Sequence, residues 1–101
     1  MPKFLFIYHG EPPATQEAGE ASMAAWGKWM GDHAAALVDP GNPVGASWTV
    51  DGAGARKGAT LPSMGYSVVE AADIEAACEI AAGCPMVSEG GDVEVAEIIP
   101  M

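Results

Sequence analysis

The polar and apolar positions change period several times along the chain, and each change marks an element. The segment KFLFIYH, Lys3 to His9, is apolar on both alternate rows, Phe4, Phe6 and Tyr8 on one and Leu5, Ile7 and His9 on the other. It predicts a strand covered on both faces, bounded by Gly10 and the Pro12-Pro13 pair. From Thr15 to Val38 the spacing turns helical, with Thr15 as N-cap, Glu17 and Glu20 near the positive end, and Met23, Trp26, Met30, His33 and Leu37 at intervals of three and four. Those five positions predict one buried stripe. Asp39-Pro40-Gly41-Asn42-Pro43 predicts the stop, because proline cannot extend the helical ladder.

Beyond the stop, VGASWTV, Val44 to Val50, alternates in part and predicts a second strand with Ala46, Trp48 and Val50 on one side. The glycine-rich stretch 51–65 predicts a solvated loop, with a hairpin with a mobile tip or a lid as the alternatives. Gly65 to Ala71 predicts a third strand. Asp73 then caps a second helix with the stripe Ile74, Ala77, Cys78 and Ala81, ended by Gly83 and Pro85. Val93 to Ile99 alternates as a fourth strand. The order β-α-β-β-α-β predicts an α+β, ferredoxin-like domain over residues 1–101, with an antiparallel four-stranded sheet and both helices on one face. Two helices cover one face only. The other would expose an apolar patch, so a second copy packed sheet to sheet is expected, giving a homodimer.

Composition narrows the function classes. Lys and Arg number 4 against 14 Asp and Glu, a formal net charge of -10 in 101 residues. Such a chain repels phosphate backbones and anionic membrane surfaces, so neither nucleic acid nor membrane is an expected partner. No stretch approaches the roughly 18 apolar residues of a membrane span, and the opening apolar run is too short for a signal peptide, so a cytoplasmic location is expected. Cys78 and Cys84 form no CxxC pair. On a continuous helix their Cα atoms would lie roughly 9 Å apart, beyond bridging distance, and two reduced thiols are expected.

The chemistry signal is sparse. His33, on the predicted stripe with Trp26 and Met30, is either a core-edge residue bonded to backbone or a carboxylate, or an acid/base facing a pocket; Asp32, its neighbour, points elsewhere. Asp39, Glu70 and Glu97 are the acids available to orient it. His9 ends its strand at a Gly-Glu-Pro-Pro turn and is the second catalytic candidate, with a surface role as the plain alternative. Trp26, Met30, His33 and Trp48 are the candidate ligand-binding residues, for three tryptophans and six methionines suit an adaptable apolar pocket and a small apolar ligand. Helical spacing gives Trp26 and Met30 an ordinary core role as well, and Trp29, beside the stripe, could reach a dimer contact. His9, His33 and Glu11 lack the spacing of a metal site, and no phosphate loop, nucleophile elbow or nucleotide fingerprint is present, so no metal or cofactor is expected.

Four stretches resemble a known family: the opening KFLFIYHGE, the helix MAAWGKWMGDHAAALVDPGNP, then MGYSVVEAADIEAACEIAAGCP, and the closing VEVAEI. Together they are similar to the YCII-related proteins, including the YciI-like and DGPF-domain branches, over nearly the whole chain. The resemblance implies a ferredoxin-like fold that dimerises as an α/β barrel, in a family of mostly uncharacterised members, some suspected of being enzymes. It also implies a stress or regulatory setting, since DGPF-domain proteins are often encoded beside extracytoplasmic-function sigma factors. Two departures matter. Where that branch carries Asp-Gly-Pro-Phe, this chain has Asp51-Gly52-Ala53-Gly54. The histidine proposed as catalytic in the YciI-like branch falls near Trp26 and Gly27, and His33 does not take its place. Two functions are therefore set side by side: a dimeric module binding a small ligand or a partner, and a small cofactor-independent enzyme using a histidine as acid or base.

Overall fold

A computed structural model describes residues 1–101. The elements are β1 (Lys3–His9), α1 (Gln16–Asp32), β2 (Leu37–Pro43), β3 (Trp48–Asp51), β4 (Gly54–Lys57), β5 (Gly65–Glu70), α2 (Ile74–Ala82), α3 (Pro85–Ser88) and β6 (Asp92–Glu97). The fold is α+β, with a four-stranded antiparallel sheet in the order β2-β5-β1-β6 and a separate two-stranded hairpin, β3-β4. The chain thus carries six strands where the pattern predicts four.

Both helix starts follow their capping signals. Thr15 Oγ1 accepts from the Ala18 amide at 3.0 Å, and Asp73 Oδ1 accepts from the Ala76 amide at 2.8 Å. The end of α1 differs from the expectation. The helix closes at Asp32, His33 takes the C-cap, and the backbone turns through Ala34–Ala36 into β2. Leu37, expected to continue the helical stripe, is instead buried in the sheet opposite Val69.

The strand beside β5 is thus Leu37–Pro43, the segment whose prolines predict a stop. An edge strand tolerates prolines because one side of its backbone needs no ladder partner, and two register shifts accommodate them. Gly41 makes the pairing feasible: its φ is +76°, and a Cβ there would collide with the Tyr66 carbonyl. The expected strand Val44–Val50 dissolves accordingly. Only Trp48 onward is extended, and it pairs with β4 in an exposed hairpin whose turn is tied by Asp51, which accepts from the Ala53 amide and pairs with Arg56.

One face of the main sheet carries the core. Phe4, Phe6 and Tyr8 of β1 share it with Ser67 and Val69 of β5, and Trp29, Ala77 and Ala81 of the helices close over them. On α1 Trp29 is buried and Ser22, Trp26 and Met30 are half-buried, as is the His33 cap, while Met23 is 77% exposed. Trp26, Met30 and His33 are thus half-buried as expected, Trp29 is added to them and Met23 drops out. Trp29 lies innermost because its indole N–H, buried with the ring, donates to the Ile80 carbonyl of α2 at 3.1 Å.

The opposite face of the sheet bears Leu5, Ile7, Tyr66, Val68 and Ala96, all half-buried and covered by no helix. With extents of 43 × 42 × 18 Å the molecule is a slab, one sheet and one helix layer thick. No helix is long and apolar enough to cross a membrane.

Candidate functional site

The site grows from Tyr8. Strand alternation turns its ring toward α1, where it meets Trp26 edge to face at 5.0 Å, and Trp26 meets Trp29 in the same way at 5.7 Å. The Tyr8 hydroxyl donates to Ser67 Oγ at 2.8 Å, and Ser67 Oγ donates to the Pro40 carbonyl at 2.6 Å. The direction is fixed by chemistry. A proline carbonyl can only accept, so the Ser67 proton goes to Pro40 and Tyr8 must donate to Ser67. Burial pushes the Tyr8 hydroxyl up to about 12, with the Ser67 contact acting against the shift and Cys84 adding to it. Tyr8 therefore stays protonated, with its proton committed and its oxygen left as an acceptor.

Around this relay lies a cavity of about 690 Å³ between α1, the edge strand β2 and the start of β5. Its apolar lining includes Trp26 and Met30 of α1, Met64 before β5 and Met86 of α3; Pro40 and Pro43 contribute from β2. The volume falls within the range of about 300–1,000 Å³ typical of small-molecule sites. Glu11, Gln16 and Glu20 approach from the turn after β1 and the first turns of α1, and Glu89 from the end of α3. No lysine, arginine or histidine lines it. Four methionines, Met23, Met30, Met64 and Met86, give the walls adjustable shape, since their side chains are unbranched and polarisable.

The sequence candidates separate in space. Trp26 and Met30 line the cavity. His33 does not: it caps α1 with its ring 5.6 Å from that of Trp29, and none of Asp39, Glu70 or Glu97 hydrogen-bonds to it. Trp48 lies on the exposed hairpin, 58% accessible, with Lys57 Nζ 5.9 Å above its ring.

His9 lies outside the cavity too, and its surroundings are not those of a surface residue. It is 8% exposed, its Nδ1 is 3.2 Å from the Pro62 carbonyl, and its Nε2 is 3.3 Å from Glu94 Oε1. The Pro62 carbonyl foremost, then Glu94 and Asp92, raise its pKa above the ordinary histidine value, against the opposing effect of desolvation. This histidine pins the segment before β5 to the end of β1. His9, His33 and Glu11 do not gather into a metal-holding group. Both cysteines are free thiols, Cys78 exposed and Cys84 buried, and burial raises the Cys84 thiol.

Tyr8, Met64, Met86 and the three glutamates join the site without having been singled out by their motifs. Tyr8 carried a signal, its place in the inward row of the first strand. Glu20 lies on the predicted first helix, and the others reach the cavity through turns and a short helix whose paths no local pattern encodes.

The family model of the YCII-related domain matches residues 3–101. No curated protein matches the chain.

Proposed function

The chain belongs to the YCII-related family, and on that footing we propose that it is a homodimeric binding module for a small apolar ligand held between α1 and the sheet. One observation carries the reading: the cavity of about 690 Å³, whose walls Trp26, Met30, Met64 and Tyr8 help to form. Apolar walls supply affinity by releasing water, and a few polar groups at the mouth fix orientation.

The proposed architecture is a ferredoxin-like sheet with the β3-β4 hairpin inserted after its second strand. The order β2-β5-β1-β6 supports it: in chain order these are the second, third, first and fourth strands of the main sheet. The uncovered row of Leu5, Ile7, Tyr66, Val68 and Ala96 supports pairing two such sheets face to face as an α/β barrel. Tyr66 is shared between this row and the cavity lining. A regulatory or stress-linked setting is the context that the family resemblance implies.

The enzymatic alternative gains no comparable support, because neither histidine lines the cavity. Thermal denaturation across a metabolite panel tests the binding reading. A stabilising compound is expected to lose its effect on Trp26→Ala and to keep it on Trp48→Ala and His33→Gln. Equal loss on Trp48→Ala would move the site to the hairpin.

A further inference from the structure

We propose that the cavity selects organic cations: a protonated amine carried on an aromatic or branched apolar body. The inference rests on the reading of this cavity as a ligand site and adds the chemical class of the ligand.

Charge and hydrogen-bond polarity both favour a cation. Three carboxylates line the cavity, and none of them is ion-paired: Glu11 has no side-chain partner, Glu20 accepts only from Gln16 at 3.3 Å, and Glu89 only from Ser22 at 2.9 Å. The chain's few cations are placed elsewhere. Lys28 pairs with Asp32, Arg56 with Asp51, Lys57 lies over Trp48, and Lys3 begins β1 away from the cavity lining. A carboxylate-bearing ligand would meet three like charges and no counter-charge.

At Tyr8 the cavity wall has the same polarity. Because the Tyr8 proton is held by Ser67 and the Ser67 proton by Pro40, a ligand bonding to the Tyr8 oxygen must be the donor. An ammonium has three N–H donors and no acceptor, and so complements both the mouth and this oxygen. Trp26, half-buried in the wall, adds an aromatic ring suited to a cation or to a stacked ligand ring. The apolar volume then houses the remainder of the molecule.

Isothermal titration at low salt with tryptamine, 3-ethylindole and indole-3-propionate tests this, with Trp26 indole NMR signals reporting location. Tryptamine is expected to bind about tenfold or more tightly than indole-3-propionate, with the neutral 3-ethylindole between them, a ratio that three partly screened carboxylates can supply. The triple variant Glu11→Gln, Glu20→Gln, Glu89→Gln should remove most of that preference. The double variant Glu75→Gln, Glu79→Gln, on exposed sites of α2 outside the cavity, should keep it and so separates local from overall charge. Glu20→Lys should shift the preference toward the anion. All five glutamates are exposed, so these variants are expected to fold. If indole-3-propionate binds as well as tryptamine and shifts Trp26, the cation inference is overturned while the cavity stands. If none of the three probes shifts Trp26, both readings fall.

Discussion

The Tyr8 hydroxyl and the Ser67 hydroxyl, 59 positions apart in the chain, meet at 2.8 Å and lock β1 to β5 beneath the cavity. Ser67 is fully buried and Tyr8 nearly so. The contact joins two strands, and through the Pro40 carbonyl a third, by side chains as well as by the backbone ladder.

Ser67→Ala removes the acceptor for Tyr8 and the donor to Pro40 together, leaving buried polar groups unsatisfied. A loss of about 1–3 kcal/mol is expected in urea denaturation, equivalent to roughly 4–8 °C in Tm per kcal/mol at this size. Tyr8→Phe combined with Ser67→Ala should cost less than the sum of the two single changes. Additive losses would show that the two hydroxyls are independent.

The two faces of α1 differ sharply in what they contribute. Trp29→Ala should cost about 3–5 kcal/mol, since it empties a core position and frees the Ile80 carbonyl, whereas Met23→Ser, at a site 77% exposed, should stay within about 0.5 kcal/mol. Chemical denaturation of both variants checks the orientation of the helix. A larger loss at Met23 than at Trp29 would contradict this orientation.

His9 couples stability to pH. Its folded pKa is raised above the unfolded value of about 6.5, so its contribution is complete below that value and fades as pH rises through the folded pKa. The stability difference between the parent and His9→Gln should therefore be largest in mildly acidic buffer and shrink toward alkaline pH. An advantage of the parent that grew with pH would contradict this assignment, and an NMR titration of the His9 ring gives the pKa directly.

Sheet-to-sheet pairing is open to disruption at one position. Light scattering should return a dimer for the parent at micromolar concentration and a monomer for Val68→Glu, because a standard interface buries roughly 800 Å² per partner and does not tolerate an unpaired charge at its centre. Circular dichroism establishes that the variant is folded. A monomeric parent would remove the proposed pairing.

Much of this arrangement is legible in the sequence where local and tertiary preferences agree. The alternation of KFLFIYH, the Thr15 and Asp73 caps, and the GYSVVE strand specify elements that form where expected. The segment Leu37–Pro43 is where they conflict. Its prolines and glycine argue locally for a turn, yet an edge position, two register shifts and a positive-φ Gly41 let it pair with β5. That single substitution of strands carries Trp48 out to the hairpin and brings Pro40 and Pro43 to the cavity. Trp26 and Met30 are legible as pocket candidates because helical spacing places them on one face. His33 is not separable from them by spacing, since its place as C-cap follows from the helix ending at Asp32 and not at Val38.

The most direct test of the central claim is an NMR titration with tryptamine that follows the three indole N–H signals and the methionine methyl groups. Shifts concentrated at Trp26, Met30 and Met64, with Trp48 unmoved, are the predicted result. Shifts confined to Trp48, or to Leu5, Ile7 and Val68 on the uncovered sheet face, would contradict the account.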